Sequence, residues 1–214
     1  MKPDYIIFPD ASQRRIRDKV YSGYGTVILN VSTRKYTTIS GHLASNSVVF
    51  AEAWAIYQGF RFLEYKKNSS QSEPFGNHVL VLSDSKLNID TFNIYIPYAW
   101  DLSDPLNWKK RDHNLVKNQE LYRCILHMTT ECDYKVKFAH VNSHIRDNPK
   151  QLVKVQDKLK EKYAVQVSYD VMELISDMND LADQAAKRET LAVMMQDRNF
   201  PDQFIQLERM SLDA

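Results

Sequence analysis

The sequence has little of what would place it outside the ordinary soluble class. Its 214 residues include two cysteines, Cys124 and Cys132, so no disulfide framework holds it together. Five glycines and seven prolines exclude collagen-like or linker-like character. No apolar run approaches the roughly 18 residues of a membrane span. The opening Met1-Lys2-Pro3-Asp4 runs into Tyr5-Ile6-Ile7-Phe8 and then Pro9-Asp10, too short and too soon acidic for a secretion signal. The expectation is a cytoplasmic monomer with no membrane partner. Charge of one sign is also missing, since 28 basic and 27 acidic side chains leave a net of +1. That balance alone argues for no polyanion. Cys124, Cys132, His140 and His144 do not form a zinc site, because seven residues separate the cysteines and seven more precede His140. Neither gap fits a finger, and buried structural thiols are expected instead.

What is present is a chain 43% hydrophobic and 26% charged, long enough for one elaborated domain that buries roughly 70% of its unfolded surface. Its charge is unevenly distributed. Residues 1–107 carry 11 basic and 10 acidic side chains, residues 108–165 carry 13 and 7, and residues 166–214 carry 4 and 10. A basic middle beside an acidic end hints at a polyanion site, although solvated helix faces explain it equally well.

The first half alternates between strand and helix patterns. Tyr5 to Phe8 is a short apolar strand ending at Pro9-Asp10. Gly23 to Val31 and Lys35 to His42 are β-branched and aromatic, joined by the turn Ser32-Thr33-Arg34, and read as a hairpin. From about 47 to 66 the apolar residues Val49, Ala53, Ile56, Phe60 and Leu63 recur at helical spacing. His78 to Leu82 is a near-continuous apolar strand, as expected when helices cover both sheet faces. A helix follows from Ser83-Asp84, another runs from Lys117 to about Met128, and Tyr134 to Val141 forms a fifth strand. The order predicts a mixed α/β sheet with helices on its faces. Residues 148–178 are polar and helix-prone, and a helical or frayed tail follows residue 190.

Three acids fall at informative places. Asp10 ends the first strand, Glu52 lies one turn inside the first long helix, and Asp84 ends the buried strand. Sites in open α/β sheets gather at the carboxyl ends of strands, so these acids could converge. Clustered carboxylates raise one another's pKa, a cost that a divalent cation removes, and oxygen-only ligands suit magnesium or manganese. Singly, Asp10 could be a turn residue, Asp84 a helix N-cap and Glu52 a merely exposed helix residue.

Asp10-Ala11-Ser12, Ala51-Glu52-Ala53 and Leu82-Ser83-Asp84-Ser85 resemble the three acidic motifs of type 1 ribonuclease H. Asn107-Trp108-Lys109-Lys110-Arg111 with Val116 to Leu121 resembles its substrate-binding segment and the following helix. His140-Val141-Asn142-Ser143-His144 resembles the segment carrying its mobile histidine, and Asn179-Asp180-Leu181-Ala182-Asp183 the start of its last helix. The resemblance spans about residues 5 to 188 in family order. It implies a five-stranded mixed sheet, three strands antiparallel and two parallel, with helices on both faces and a helical insertion before the last catalytic helix. The catalytic domain would be residues 1–190, with the insertion at about 148–178 and the tail at 191–214.

The resemblance implies an endonuclease that hydrolyses the RNA strand of RNA–DNA hybrids and leaves 5′-phosphate products. Asp10, Glu52, Asp84 and Asp183 would bind two magnesium ions about 4 Å apart, manganese being a possible substitute, with Glu52 and Asp183 as outer ligands. His144 would assist proton transfer or product release, a task suited to a group titrating near neutrality. Trp108, Lys109, Lys110, Arg111 and Lys117 would grip the DNA strand. Ser12 would contact nucleic acid, and Asn46 would replace the paired asparagines that many members use on 2′-hydroxyls.

The sequence also departs from the family. Pro9 precedes Asp10 and removes a ladder donor. Ala11 stands where the family has glycine. The basic handle between Arg111 and Val116 is short, and 38 residues separate His144 from Asp183. In that insertion Lys150, Lys154, Lys158, Lys160 and Lys162 make either a supplementary nucleic-acid arm or a solvated helix packed through Leu152, Val155 and Leu159. Three rival readings stand beside the main one: a related nuclease acting on other nucleic acid, a catalytically inactive binding module, and a nuclease domain serving a reverse transcriptase or mobile element.

Overall fold

A computed structural model describes residues 1–69, 75–142 and 149–197. Its centre is a five-stranded sheet of β1 (Tyr5–Ile16), β2 (Lys19–Asn30), β3 (Tyr36–Leu43), β4 (His78–Ser83) and β5 (Lys135–His140). The strand order is β3-β2-β1-β4-β5. Strands β1, β2 and β3 pair antiparallel, and β4 runs parallel to both β1 and β5, as the family resemblance implies.

Helices cover both faces. On one lie α1 (Val48–Ser69), a π-helical stretch (Thr91–Ala99) entered through the short α2 (Lys86–Asp90), and α3 (Gln119–Glu131). There Ile7, Val79, Val81 and Phe138 meet Ile56, Phe60 and Ile125. On the other lie α4 (Pro149–Tyr163) and α5 (Tyr169–Gln196), whose Leu159, Met172, Ile175 and Ala182 pack on Ile6, Phe8, Leu80 and Leu82. This alternation along β1 and β4 is the period-2 consequence of a strand buried on both sides. Each large side chain so buried contributes about 1.5–3 kcal/mol.

Several boundaries differ from the sequence reading. Strand β1 does not end at Asp10 but continues to Ile16 and returns through the turn Arg17–Asp18, with Arg17 left-handed at φ 53°. The polar stretch from Asp10 onward stays in strand because β2 pairs with it throughout. Pairing with β4 ends earlier, at Ile7↔Val81, so Pro9 stands where β1 has lost that neighbour and its missing N–H costs no ladder bond there. The last helix begins at Tyr169, ten residues before Asn179, and Asp183 therefore sits mid-helix. Of the two cysteines only Cys132 is buried; Cys124 is exposed, at the flank of the α3 face that buries Leu121, Ile125 and Met128. The last described stretch of the tail belongs to α5, and residues 198–214 lie outside the described residues.

Two helices approach the sheet through glycine. A β-carbon on Gly59 of α1 would stand 2.7 Å from Ile7 Cγ2. On the opposite face, a β-carbon on Gly25 would stand 2.2 Å from the Ala182 carbonyl oxygen, and one on Gly23 2.4 Å from that of Ala186. No side chain fits at either β2 position, so α5 lies directly on the strand backbone. Thr190 Oγ1 adds a hydrogen bond to the Ser12 carbonyl at 3.1 Å.

Candidate active site

The carboxylates named from the sequence come from four separate elements. Asp10 is opposite Gly25 in the β1–β2 register. Gly25 in turn touches Ala182, the neighbour of Asp183 on α5. Asp84 directly follows β4, and Glu52 is the fifth residue of α1. The pairing and the glycine contact together bring the strand acid and the helix acid to one place.

Their electrostatics are coupled. Burial, and then the negative charges of Asp84, Asp183 and Glu52, push the Asp10 carboxyl up to about 8, although the Ala11 N–H opposes this by donating to Oδ1 at 2.7 Å. Glu52 is also raised, first by burial and then by Asp84, against hydrogen bonds from Ser85 and Asn88. Buried carboxylates without a compensating cation hold their protons. Among the described residues no three His, Cys, Asp or Glu side chains form a ready-made metal cage. The four acids thus share a field without forming a close cluster of three. Asp183 accepts a hydrogen bond from Lys187, one turn on, at 2.8 Å.

Glu52 is held by a polar network that the sequence reading missed. The Ser85 hydroxyl donates to Oε2, and Asn88 Nδ2 lies 3.2 Å from the same oxygen. Asn88 is fully buried. Its amide also donates to the Val49 carbonyl at 3.1 Å, and its Oδ1 accepts from the Tyr122 hydroxyl at 3.2 Å. The readable signal was position: Asn88 stands four residues after Asp84, so on α2 it looks back toward the end of β4.

The predicted nucleic-acid residues separate into groups. Trp108 is not a surface aromatic: it is 6% exposed and packs in the core beside Trp100, ring centroids 6.5 Å apart. Its backbone N–H donates to Gln119 Oε1 at 2.6 Å. The amphipathic indole fills the space under the segment that its charged neighbours cover. Lys110, Arg111 and Lys117 are exposed and line a groove of about 680 Å³ with Ser47 and Val49 of the α1 start and Tyr95 and Trp100. Lys109 is exposed but does not line it; its backbone bridges Asp101 and Leu115. Asn46 is exposed in a separate hollow with Arg15 and Asp18, and Ser12 is half-buried against α5. Ser143 and His144 lie outside the described residues.

No helix among the described residues is long and apolar enough to cross a membrane.

No protein-family model matches the sequence, and no curated protein is similar to it. Solved structures are. The foamy viral protease–reverse transcriptase in complex with an RNA/DNA hybrid aligns with a TM-score of 0.57 at 16% identity, over 88% of this chain and 20% of that one. The chain thus spans about one-fifth of that viral protein. The same viral protein with double-stranded DNA aligns at 0.53 and 16% identity, over 86% and 94%. LC9-RNase H1, a type 1 RNase H with the type 2 active-site motif, aligns at 0.51 and 13% identity, over 82% and 85%. The chain has the ribonuclease H-like fold, which it shares with these structures, LC9-RNase H1 among them.

Proposed function

We propose that the protein is an endonuclease that hydrolyses the RNA strand of RNA–DNA hybrids with the help of two divalent cations held by Asp10, Glu52, Asp84 and Asp183. The observation that carries this reading is the raised Asp10 carboxyl: three further acids from distant parts of the chain act on one buried carboxylate. Folding brings such charges together at a cost, and a cation bound among them reverses it. The donor set fits magnesium or manganese, being oxygen alone. The ribonuclease H-like fold of neighbours solved with a hybrid supports the substrate class.

Bound magnesium supplies positive charge that acidifies water and neutralises the phosphate oxygens. The chain's own residues do the positioning. Ser85 and Asn88 fix the Glu52 carboxylate from below, which limits how far it can swing when substrate enters. The Gly25 contact sets the distance of α5, and with it Asp183, from Asp10. Lys110, Arg111 and Lys117 along the groove beside α1 bind backbone phosphates, a mode that fixes register without reading bases. His144, outside the described residues, would move a proton or help product leave.

The test is incubation with labelled RNA–DNA hybrid, double-stranded RNA and double-stranded DNA, each with magnesium or EDTA, beside Asp84→Asn. Magnesium-dependent cutting confined to the RNA strand of the hybrid, and lost in the variant, is the expected result. Cutting of another substrate would make the protein a related nuclease of the same fold. Hybrid binding without any cutting would make it an inactive binding module.

A further inference from the structure

Helix α4 carries lysines at 150, 154, 158 and 162, one every four residues, so they form a single ridge on one side of the helix. Neighbouring like charges at that spacing destabilise a helix, and three such steps occur in succession. No carboxylate relieves Lys154, Lys158 or Lys162: among the described residues none lies within 4.0 Å of their ammonium groups. Lys162 instead stands over the Tyr163 ring at 5.4 Å. The ridge spans about 18 Å at 1.5 Å per residue.

The ridge is fixed to the body of the protein. Leu152 and Leu159 are buried in the core beneath the sheet, with Val155 packed against it. Gln156 Nε2 donates to the Val167 carbonyl at 2.7 Å. The Tyr163 hydroxyl accepts the His140 backbone N–H at 3.3 Å, covering the outer edge of β5. The ridge also has a definite destination. Lys158 is half-buried, and its ammonium lies 3.5 Å from His140 Nδ1. His140 pairs with Ser83 in the β4–β5 register, one residue before Asp84. The His140 ring also hydrogen-bonds to the Asp84 backbone. Positive charge with no carboxylate within 4.0 Å among the described residues therefore runs from Lys154 to Lys162, up to the edge of the acidic cluster.

We propose that this ridge is a second phosphate-binding surface, with Lys154, Lys158 and Lys162 contacting the backbone of the bound nucleic acid on the β5 side of the acids. It rests on the nuclease reading for its ligand and stands opposite the groove of Lys110, Arg111 and Lys117 across β4 and β5. The occupant is a nucleic-acid backbone because three evenly spaced lysines, Lys154, Lys158 and Lys162, beside the proposed phosphate-processing site match a regular polyanion.

The experiment measures binding of a fluorescent RNA–DNA hybrid by anisotropy across a salt series, in EDTA so that nothing is cut. The parent is compared with the triple variants Lys154→Gln/Lys158→Gln/Lys162→Gln and Lys154→Arg/Lys158→Arg/Lys162→Arg. Removing the cation from one bound phosphate flattens the slope of log affinity against log salt by roughly 0.7–0.9. The glutamine variant should therefore lose about 2 in slope and about tenfold or more in affinity at 0.1 M salt, while the arginine variant keeps both. Circular dichroism verifies that α4 persists in each. An unchanged slope in a folded glutamine variant, or no hybrid binding by the parent, overturns the proposal. A flattened slope in a protein that cuts nothing in the separate magnesium assay upholds the ridge while the nuclease reading fails.

Discussion

Helices α4 and α5 lie on the same face of one sheet and are attached in different ways. Helix α5 rests on the backbone of β2 through Gly23 and Gly25, with no side chain between. Helix α4 is held off by Leu152, Val155 and Leu159, ordinary side chains in an ordinary core. The first kind of contact fixes a distance to a fraction of an ångström, because backbone atoms cannot yield. The second tolerates repacking. Helix α5 carries an acid whose field reaches Asp10, whereas α4 carries lysines whose work is long-range. Tight attachment accompanies short-range chemistry, and looser attachment accompanies electrostatic reach.

The strongest way to break this contrast is Gly25→Val. The new side chain collides with the Ala182 carbonyl and pushes α5 away, so Asp183 leaves the cluster. Cleavage per folded molecule should fall about 10³-fold, the loss of about 4 kcal/mol of transition-state stabilisation, measured by single-turnover assay. Leu159→Ala makes the complementary test on α4. It should cost about 2–5 kcal/mol of stability by denaturant titration yet leave the cleavage rate of folded molecules within a few-fold.

A third test reads the coupling by pH. The folded Asp10 carboxyl sits near 8, against 3.8 as its ordinary value. The native state therefore keeps a proton that the unfolded chain has released. In EDTA, stability should fall as pH rises from about 4 to 8, by at most about 1.4 kcal/mol per unit, and level off above. Asp10→Asn should remove most of that slope, the raised Glu52 carboxyl leaving a remainder, and magnesium should flatten it; a parent whose melting temperature is flat across this range would contradict the coupling. The smallest effect belongs to Lys187→Gln. Its partly exposed pair with Asp183 should change stability by less than about 1 kcal/mol, because glycine contact and not the ion pair holds α5.

The sequence made the sheet legible, since alternation, apolar runs and helical spacing are local. It also named the acids that the fold gathers into one field. Long-range partners set what it could not show. Asp10 looks like a strand end after Pro9, but β2 carries the strand on to Ile16. Asp183 looks like a helix start, but packing on the core through Val171, Met172 and Ile175 begins that helix earlier. Trp108 beside three cations looks like a surface aromatic, and only the three-dimensional neighbourhood of Trp100 and Tyr122 reveals it as core. Gly23 and Gly25 appear in sequence as strand residues; their meaning lies in a helix some 160 positions away.

The burial of Trp108 also makes the molecule its own optical probe. Its indole is enclosed beside that of Trp100, whose ring stacks on Tyr95 at 5.7 Å, while the next residues in the chain are the exposed Lys109, Lys110 and Arg111. Any ligand that draws those cations toward itself pulls on a chromophore sealed from water. Engagement of the groove should therefore register as a shift and quenching of tryptophan emission, with no label attached and no bond cut.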